Sequence, residues 1–289
     1  MSIFRQIIML SAAANCVLLG SVASAAEFAA HVISYDSGTG ISQTSPDSTA
    51  ALGSPAGLTG VSIGFPNVLS HFNAAWEANQ IVQIGDGGHL TLQLSHYALV
   101  GAGLEIGVVE NVAVAAPSYP TPHSGPVASL LGVDVAMVEV SDDGLNWVSL
   151  NGGSPIDFSM PGNFYTNAGA FDVAPPAVPV ASDWGQPIAP LAVSAFDNMS
   201  DADLISLYGG AGGGTWLDLS GIGLLQVGWV RFSDPGDTLE IDAVIISNTA
   251  VGAVIAAPVP EPASGLLLAL GSLLTMFVGR RRSSRNQGR

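Results

Sequence analysis

Apolar and polar residues alternate with period two over much of the chain. The runs AAHVISY, NQIVQIG, HLTLQLSHY, LEIGVVENV, VAMVEVS, LLQVGWVRFS and LEIDAVIIS each send every second side chain to one side, as a strand with one buried face does. Clusters of Asp, Gly and Pro separate them: DSGTG, DGG, GAG, DDGLN and DPGD. Two alternating runs joined by such a turn read as a hairpin. NQIVQIG is therefore expected to pair with HLTLQLSHY, VAMVEVS with WVSL, and LLQVGWVRFS with LEIDAVIIS. Helical periodicity is scarce. One short helix is expected over 200–208, where Ser200 and Asp203 have capping-box spacing and Gly209 supplies a stop. The pattern predicts an all-β body, an antiparallel, jelly-roll-like β-sandwich of about eight or more strands.

Two irregular stretches interrupt the alternation. AVAAPSYPTPHSGPVAS is Pro-rich and reads as a surface loop. Residues 151–197 hold Phe158, Phe164, Tyr165, Phe171 and Trp184 among many Pro and Gly, and form a long insertion near 151–215. Such loops either carry function or pack on their own aromatics. GGAGGG at 209–214 lacks the lysine and hydroxyl residue of a phosphate loop and reads as a flexible turn.

The two ends follow a different pattern. At the N-terminus, Arg5 precedes an apolar run that ends in Ala23-Ser24-Ala25, the order of a signal peptide over residues 1–25. Export by the secretion machinery and cleavage by a signal peptidase are expected. Cys16, the single cysteine, would leave with that segment, so the body would have no disulfide and no thiolate metal site. Residues 26–250 form the ectodomain and 251–257 a linker. At the C-terminus, Val259-Pro260-Glu261-Pro262 precedes the uncharged apolar stretch 263–278. As a single transmembrane helix its 16 residues would reach about 24 Å, barely spanning a bilayer core. Arg280, Arg281 and Arg282 follow as a stop-transfer cluster that holds the far end on the cytoplasmic side of an inner membrane.

Pro-Glu-Pro, a short apolar helix and an arginine cluster in that order resemble the PEP-CTERM sorting signal of exported bacterial proteins, here over 258–289. The resemblance implies recognition of Val259, Pro260, Glu261 and Pro262 by an exosortase. It also implies association with exopolysaccharide and biofilm formation, and a cell-surface or extracellular location after a membrane-anchored precursor. The alternative for the tail is a plain anchor that is never processed.

Charge narrows the classes further. Of 23 acidic residues all but Glu261 lie in 26–257, where Arg231 is the single basic residue, and lysine is absent from the chain. A surface of this sign repels phosphate backbones and anionic headgroups, which argues against nucleic-acid binding. No His-x-x-x-His spacing and no Gly-x-Ser-x-Gly elbow occurs. His89 and His96 lie an odd number of residues apart in one expected strand and so point to opposite faces. No catalytic constellation is identifiable, although a spatial pair of carboxylates could still act on polysaccharide.

The succession ALGSPAG, IVQIGDGGHLTLQLS, GLEIGVVENV, VAMVEVSDDGLNWVSL and the final strand pair is similar to galactose-binding-like or discoidin-like jelly rolls. That resemblance implies a carbohydrate-binding or adhesive module, often with structural calcium, and places Glu110, Asn111 and Asp242 as candidate ligands. Calcium would suit their hard oxygens. For sugar stacking, Trp76, Trp184 and Trp216 lie in expected loops or edges and are the candidates, whereas Trp147 and Trp229 lie in strands and are expected to pack in the core. Three functions stand open at this level: a non-enzymatic surface or matrix protein, a secreted enzyme acting on polysaccharide, and a calcium-dependent carbohydrate-binding module.

Overall fold

The computed structural model describes residues 26–257 apart from Ser45, Ala102, 116–128, Ala170 and 234–237. The signal peptide, the tail and most of the Pro-rich loop expected from the sequence lie outside the described residues. The strands are β1 (Glu27–Asp36), β2 (Leu58–Thr59), β3 (Asn67–Val68), β4 (Val82–Ile84), β5 (His89–Leu99), β6 (Ile106–Glu110), β7 (Ala113–Val114) and β8 (Leu130–Leu131), followed by β9 (Asp134–Ser141), β10 (Val148–Ser149), β11 (Ile156–Phe158), β12 (Thr215–Leu217), β13 (Gln226–Ser233), β14 (Leu239–Ile246) and β15 (Val251–Val254). The helix α1 (Asp201–Tyr208) lies between β11 and β12. All strand pairs are antiparallel. The body is the all-β, antiparallel fold that the alternation predicts.

Two layers share β1. Its first two residues pair with β14, Glu27 opposite Ile246, and from Ala29 onward it pairs with β5 through two register shifts, with Asp36 opposite His89. One layer runs β10-β9-β13-β5 and ends on β1 and β15, which occupy successive lengths of the same β5 edge. The other runs β12-β6-β14, with β4 and β1 sharing the far edge of β14. Between the layers lies the main core, to which Leu90, Leu92, Val230, Phe232, Val138 and Val140 come from one sheet and Ile106, Val108, Val244 and Ile246 from the other. Strand alternation buries these positions and turns their neighbours outward.

The outer faces differ. Over β6 and β14 a second cluster forms from Leu69, Ala75, Ile81, Val109, Trp184, Trp216, Ala243 and Ile245, so all five residues of β6 and seven of eight in β14 are buried. We call this the covered sheet. The long insertion supplies the cover: Phe164 and Trp184 pack on it at 6.0 Å between ring centroids, and α1 adds Leu204 and Tyr208 to a third cluster with Met160 and Phe196. Of the two roles open to the insertion, its aromatics take the packing one. Among the described residues the outer face of the opposite sheet is less covered, with Thr91, Gln93 and Ser141 buried but Ser34, Asp36, Arg231 and Glu139 half-buried or exposed, and we call it the open sheet.

One of the three expected hairpins forms. Val148 pairs with Val140, and Asp143 closes that turn by accepting from the N–H groups of Leu145 and Asn146, with Gly144 at φ 74°. The other two expected pairs do not form: β4 pairs with β14 rather than β5, and β13 pairs with β5 and β9 rather than β14. A turn signal fixes where the chain reverses, and a sandwich can satisfy it by crossing the core. The helix starts at its expected cap, with Ser200 and Asp203 forming a capping box and Gly209 left-handed at φ 59°. GGAGGG is ordered by packing rather than loose: Gly212 lies flat beneath the Trp184 ring, where an added Cβ would sit 2.2 Å from Cε3. Residues 251–254 of the expected linker are a strand.

Candidate functional site

The outward positions of the open sheet form a grid across β1, β5, β13 and β9. Directly paired residues share a face, so the register gives three rows. The first is His31, Gln93, Trp229 and Ser141; the second Ser34, Thr91, Arg231 and Glu139; the third Asp36, His89, Ser233 and Met137. Ten of these twelve positions are polar, in contrast with the aliphatic rows directly beneath them. At the ~4.8 Å strand spacing a row extends roughly 14 Å.

Around the second and third rows lies a groove of about 330 Å³, lined by Ser34, His89, Thr91, Glu139, Arg231 and Ser233 and bordered by the Gly87-Gly88 backbone. Arg231 donates from Nε to Glu139 Oε2 at 2.8 Å, and its Nη2 lies 2.6 Å from the same oxygen. The guanidinium stacks on the Trp147 ring, 4.4 Å from the centroid. His89 Nε2 and Ser34 Oγ are 3.2 Å apart. Further along the face, Tyr97 meets Trp229 edge to face at 6.2 Å, and it lies over Gly228, where a Cβ would approach its ring to 2.8 Å.

The tryptophans are distributed otherwise than the sequence suggests. Trp184 and Trp216, expected to stack on ligands, are 5% and 4% exposed in the cover of the covered sheet, so neither offers a ring face. Trp76 is 42% exposed, beside a hairpin tip that also presents Val61, Ile63 and Phe65. Trp147 and Trp229, expected in the core, are half-buried and belong to the open face. Alternation shows that Trp229 and Phe232 point opposite ways. Which of the two faces loops would cover depends on the insertion, and no local signal carries that.

The candidate calcium ligands lie near one another in register, with separate contacts. Ile241 pairs with Glu110 and Ala243 with Val109, which leaves Asp242 as the extra residue of a bulge. Asp242 is buried and accepts from the Ala56 N–H at 3.3 Å; burial pushes its pKa well above the ordinary carboxylate range. Glu110 is buried, and neither oxygen has a hydrogen bond of good geometry among the described residues, the Glu240 backbone being close enough only to offset its burial in part. Burial first, then the charges of Asp134 and Glu240, push its pKa well up. Asn111 donates from Nδ2 to Glu240 Oε2 at 2.6 Å. Among the described residues no group of three or more His, Cys, Asp or Glu is placed to hold a metal ion.

Other chemistry is dispersed. His89 faces Ser34 while His96 lies 3.1 Å from Glu27, so the two imidazoles of β5 have separate partners. His71 is fully buried against Tyr208, rings 4.1 Å apart, and burial lowers its pKa to about 3. Asp157 and Asp218, both exposed, line a second groove of about 380 Å³ with Asn151 and the edge of Trp216.

The chain leaves the described body beside the open face. After β15, the Ala256 carbonyl accepts from Gln93 Nε2 at 3.1 Å, so the last described residues pass over the first row of the grid. The sorting residues Val259, Pro260, Glu261 and Pro262 and the stop-transfer residues Arg280, Arg281 and Arg282 follow, outside the described residues. The family described as PEP-CTERM protein-sorting motif matches residues 258–282. The chain carries a PEP-CTERM tail. Such a motif implies an exported protein that is sorted by an exosortase. No curated protein matches the chain. No helix among the described residues is long and apolar enough to cross a membrane.

Proposed function

We propose that this is a non-enzymatic surface or extracellular-matrix protein, in which the PEP-CTERM tail delivers a β-sandwich that associates with exopolysaccharide in a biofilm. One observation carries the reading: the polar face of the open sheet lies next to the exit of the tail, while the opposite sheet is sealed by its own loops. A signal peptide at 1–25 and a membrane-spanning helix at 263–278 belong to the same proposal, as steps before exosortase processing. The acidic surface fits a protein that works among neutral polymers and cations rather than on nucleic acid.

Fractionation of the native host tests it. The protein is expected in the extracellular matrix fraction, to be released when the polysaccharide is digested, and to remain in the membrane fraction as the Glu261→Ala variant. A protein found wholly in the membrane fraction, whatever the state of the polysaccharide, would overturn the reading. Hydrolysis of a polysaccharide panel abolished by Asp157→Asn or Asp218→Asn would replace it with the enzymatic alternative.

A further inference from the structure

We infer that the groove on the outer face of the open sheet binds a segment of neutral polysaccharide, with the Glu139–Arg231 pair holding vicinal hydroxyls. The inference rests on the matrix reading above and gives it a site. The groove's second row places hydroxyl, hydroxyl, guanidinium and carboxylate side by side across four strands, in the order Ser34, Thr91, Arg231 and Glu139. A sugar diol donates one hydroxyl hydrogen to a carboxylate while its neighbouring oxygen accepts from a guanidinium, and a bridged ion pair presents both functions at hydrogen-bond spacing. His89 and Ser34, 3.2 Å apart, add a second donor and acceptor at the other side of the groove.

Preorganisation supports the same assignment. Arg231 is held from two directions, by Glu139 at 2.6 Å and by the face of Trp147 at 4.4 Å, so little side-chain freedom remains to be lost on binding. Gly87 at the border faces open space, which leaves room for a polymer to run across the strands rather than end in a pocket.

Charge selects among polymers. Arg231 is the one basic residue between 26 and 257 and is already paired, so a polyanion would meet uncompensated acidic surface. The apolar tail of the chain itself is a poor occupant, because the six lining side chains are polar. A neutral polyhydroxylated chain satisfies both conditions.

Affinity electrophoresis of the full-length protein in detergent tests the site, with dextran, galactomannan and mixed-linkage β-glucan as neutral probes, alginate as the anionic one, and exopolysaccharide purified from the native host. Retardation is expected with at least one neutral probe or with the host polymer. Glu139→Gln and His89→Ala should each weaken it by about tenfold, the loss of a charged or directional hydrogen bond. Trp76→Ala, in the segment between β3 and β4, should retain it. Equal thermal midpoints for the variants separate binding from misfolding. Retardation that survives both groove variants would overturn the groove and leave matrix association standing. Retardation by alginate alone would overturn the neutral class, and no retardation by any polymer would overturn the groove and the matrix reading together.

Discussion

Arg231 and Glu139 stand directly opposite each other across β13 and β9, joined at 2.6 Å, with Trp147 stacked on the guanidinium. The one Lys or Arg between 26 and 257 thus engages one carboxylate and one ring, on the sheet face that the described residues cover less. Its side chain is 32% exposed and that of Glu139 26%, so solvent screens the pair in part. A double-mutant cycle with Arg231→Met and Glu139→Gln is expected to give a coupling of roughly 0.5–1 kcal/mol, smaller at high salt. A cycle of Arg231 with Trp147→Leu should give a further ~0.5–1 kcal/mol that salt reduces less. Zero coupling in both cycles would mean that the Arg231 contacts are incidental.

Asp242 and Glu110 are buried with pKa values raised well above the ordinary range. Below about pH 4, the usual carboxylate value, folded and unfolded states are both protonated and these groups cost nothing. As pH rises from there toward the folded pKa, the unfolded chain releases protons that the folded chain keeps, so stability falls. The thermal midpoint of Asp242→Asn should therefore exceed that of wild type at pH 8, and the gap should close toward pH 4. The Ala56 N–H keeps an acceptor in that variant. A midpoint difference independent of pH would refute the account.

His71 acts in the opposite direction. Its folded pKa is lowered to about 3 by burial, against about 6.5 in an open chain, so stability falls as pH drops below 6.5. At pH 5 the cost is about 2 kcal/mol, from 1.36 kcal/mol per unit. Urea unfolding of His71→Leu between pH 7 and 5 should lose most of that dependence, whereas an unchanged slope would place the titration elsewhere.

Gly212 lies beneath Trp184, and the seal over the covered sheet depends on that contact. Gly212→Ala is expected to cost about 1–3 kcal/mol by overpacking and to raise the exposure of Trp184, read as a red shift in its fluorescence. Gly87→Ala, in open space at φ 73°, should leave the Trp184 environment unchanged. Equal fluorescence in the two variants would mean that the ring does not rest on Gly212.

The parts of this molecule legible in the sequence are those set by neighbours along the chain. HLTLQLSHY alternates because β5 has one core face, and Ser200 with Asp203 caps α1 through contacts three residues long. Partners are set by distant segments and were less legible. DGG reads like a hairpin, yet β4 crosses to β14 because the sandwich needs arches as well as hairpins. The short strand β11 of PIDFS was hidden in a Pro-rich stretch, where its edge pairing to β9 leaves little alternation to see. The open face was misassigned for the same reason. Trp147 and Trp229 look like core residues until the insertion is known to cover the other sheet, and the cover buries Trp184 and Trp216 instead. The tail, by contrast, is a linear signal and was fully readable as Pro260-Glu261-Pro262, an apolar run and arginines.

The most direct test of the account is the intact mass of the mature protein recovered from its native host. We predict a chain that begins near Ala26 and ends near Pro260–Pro262, without the arginine cluster, and a Glu261→Ala variant that keeps its tail. A wild-type protein that retains Arg280, Arg281 and Arg282 in its mature form would contradict exosortase processing and reduce the C-terminus to an anchor.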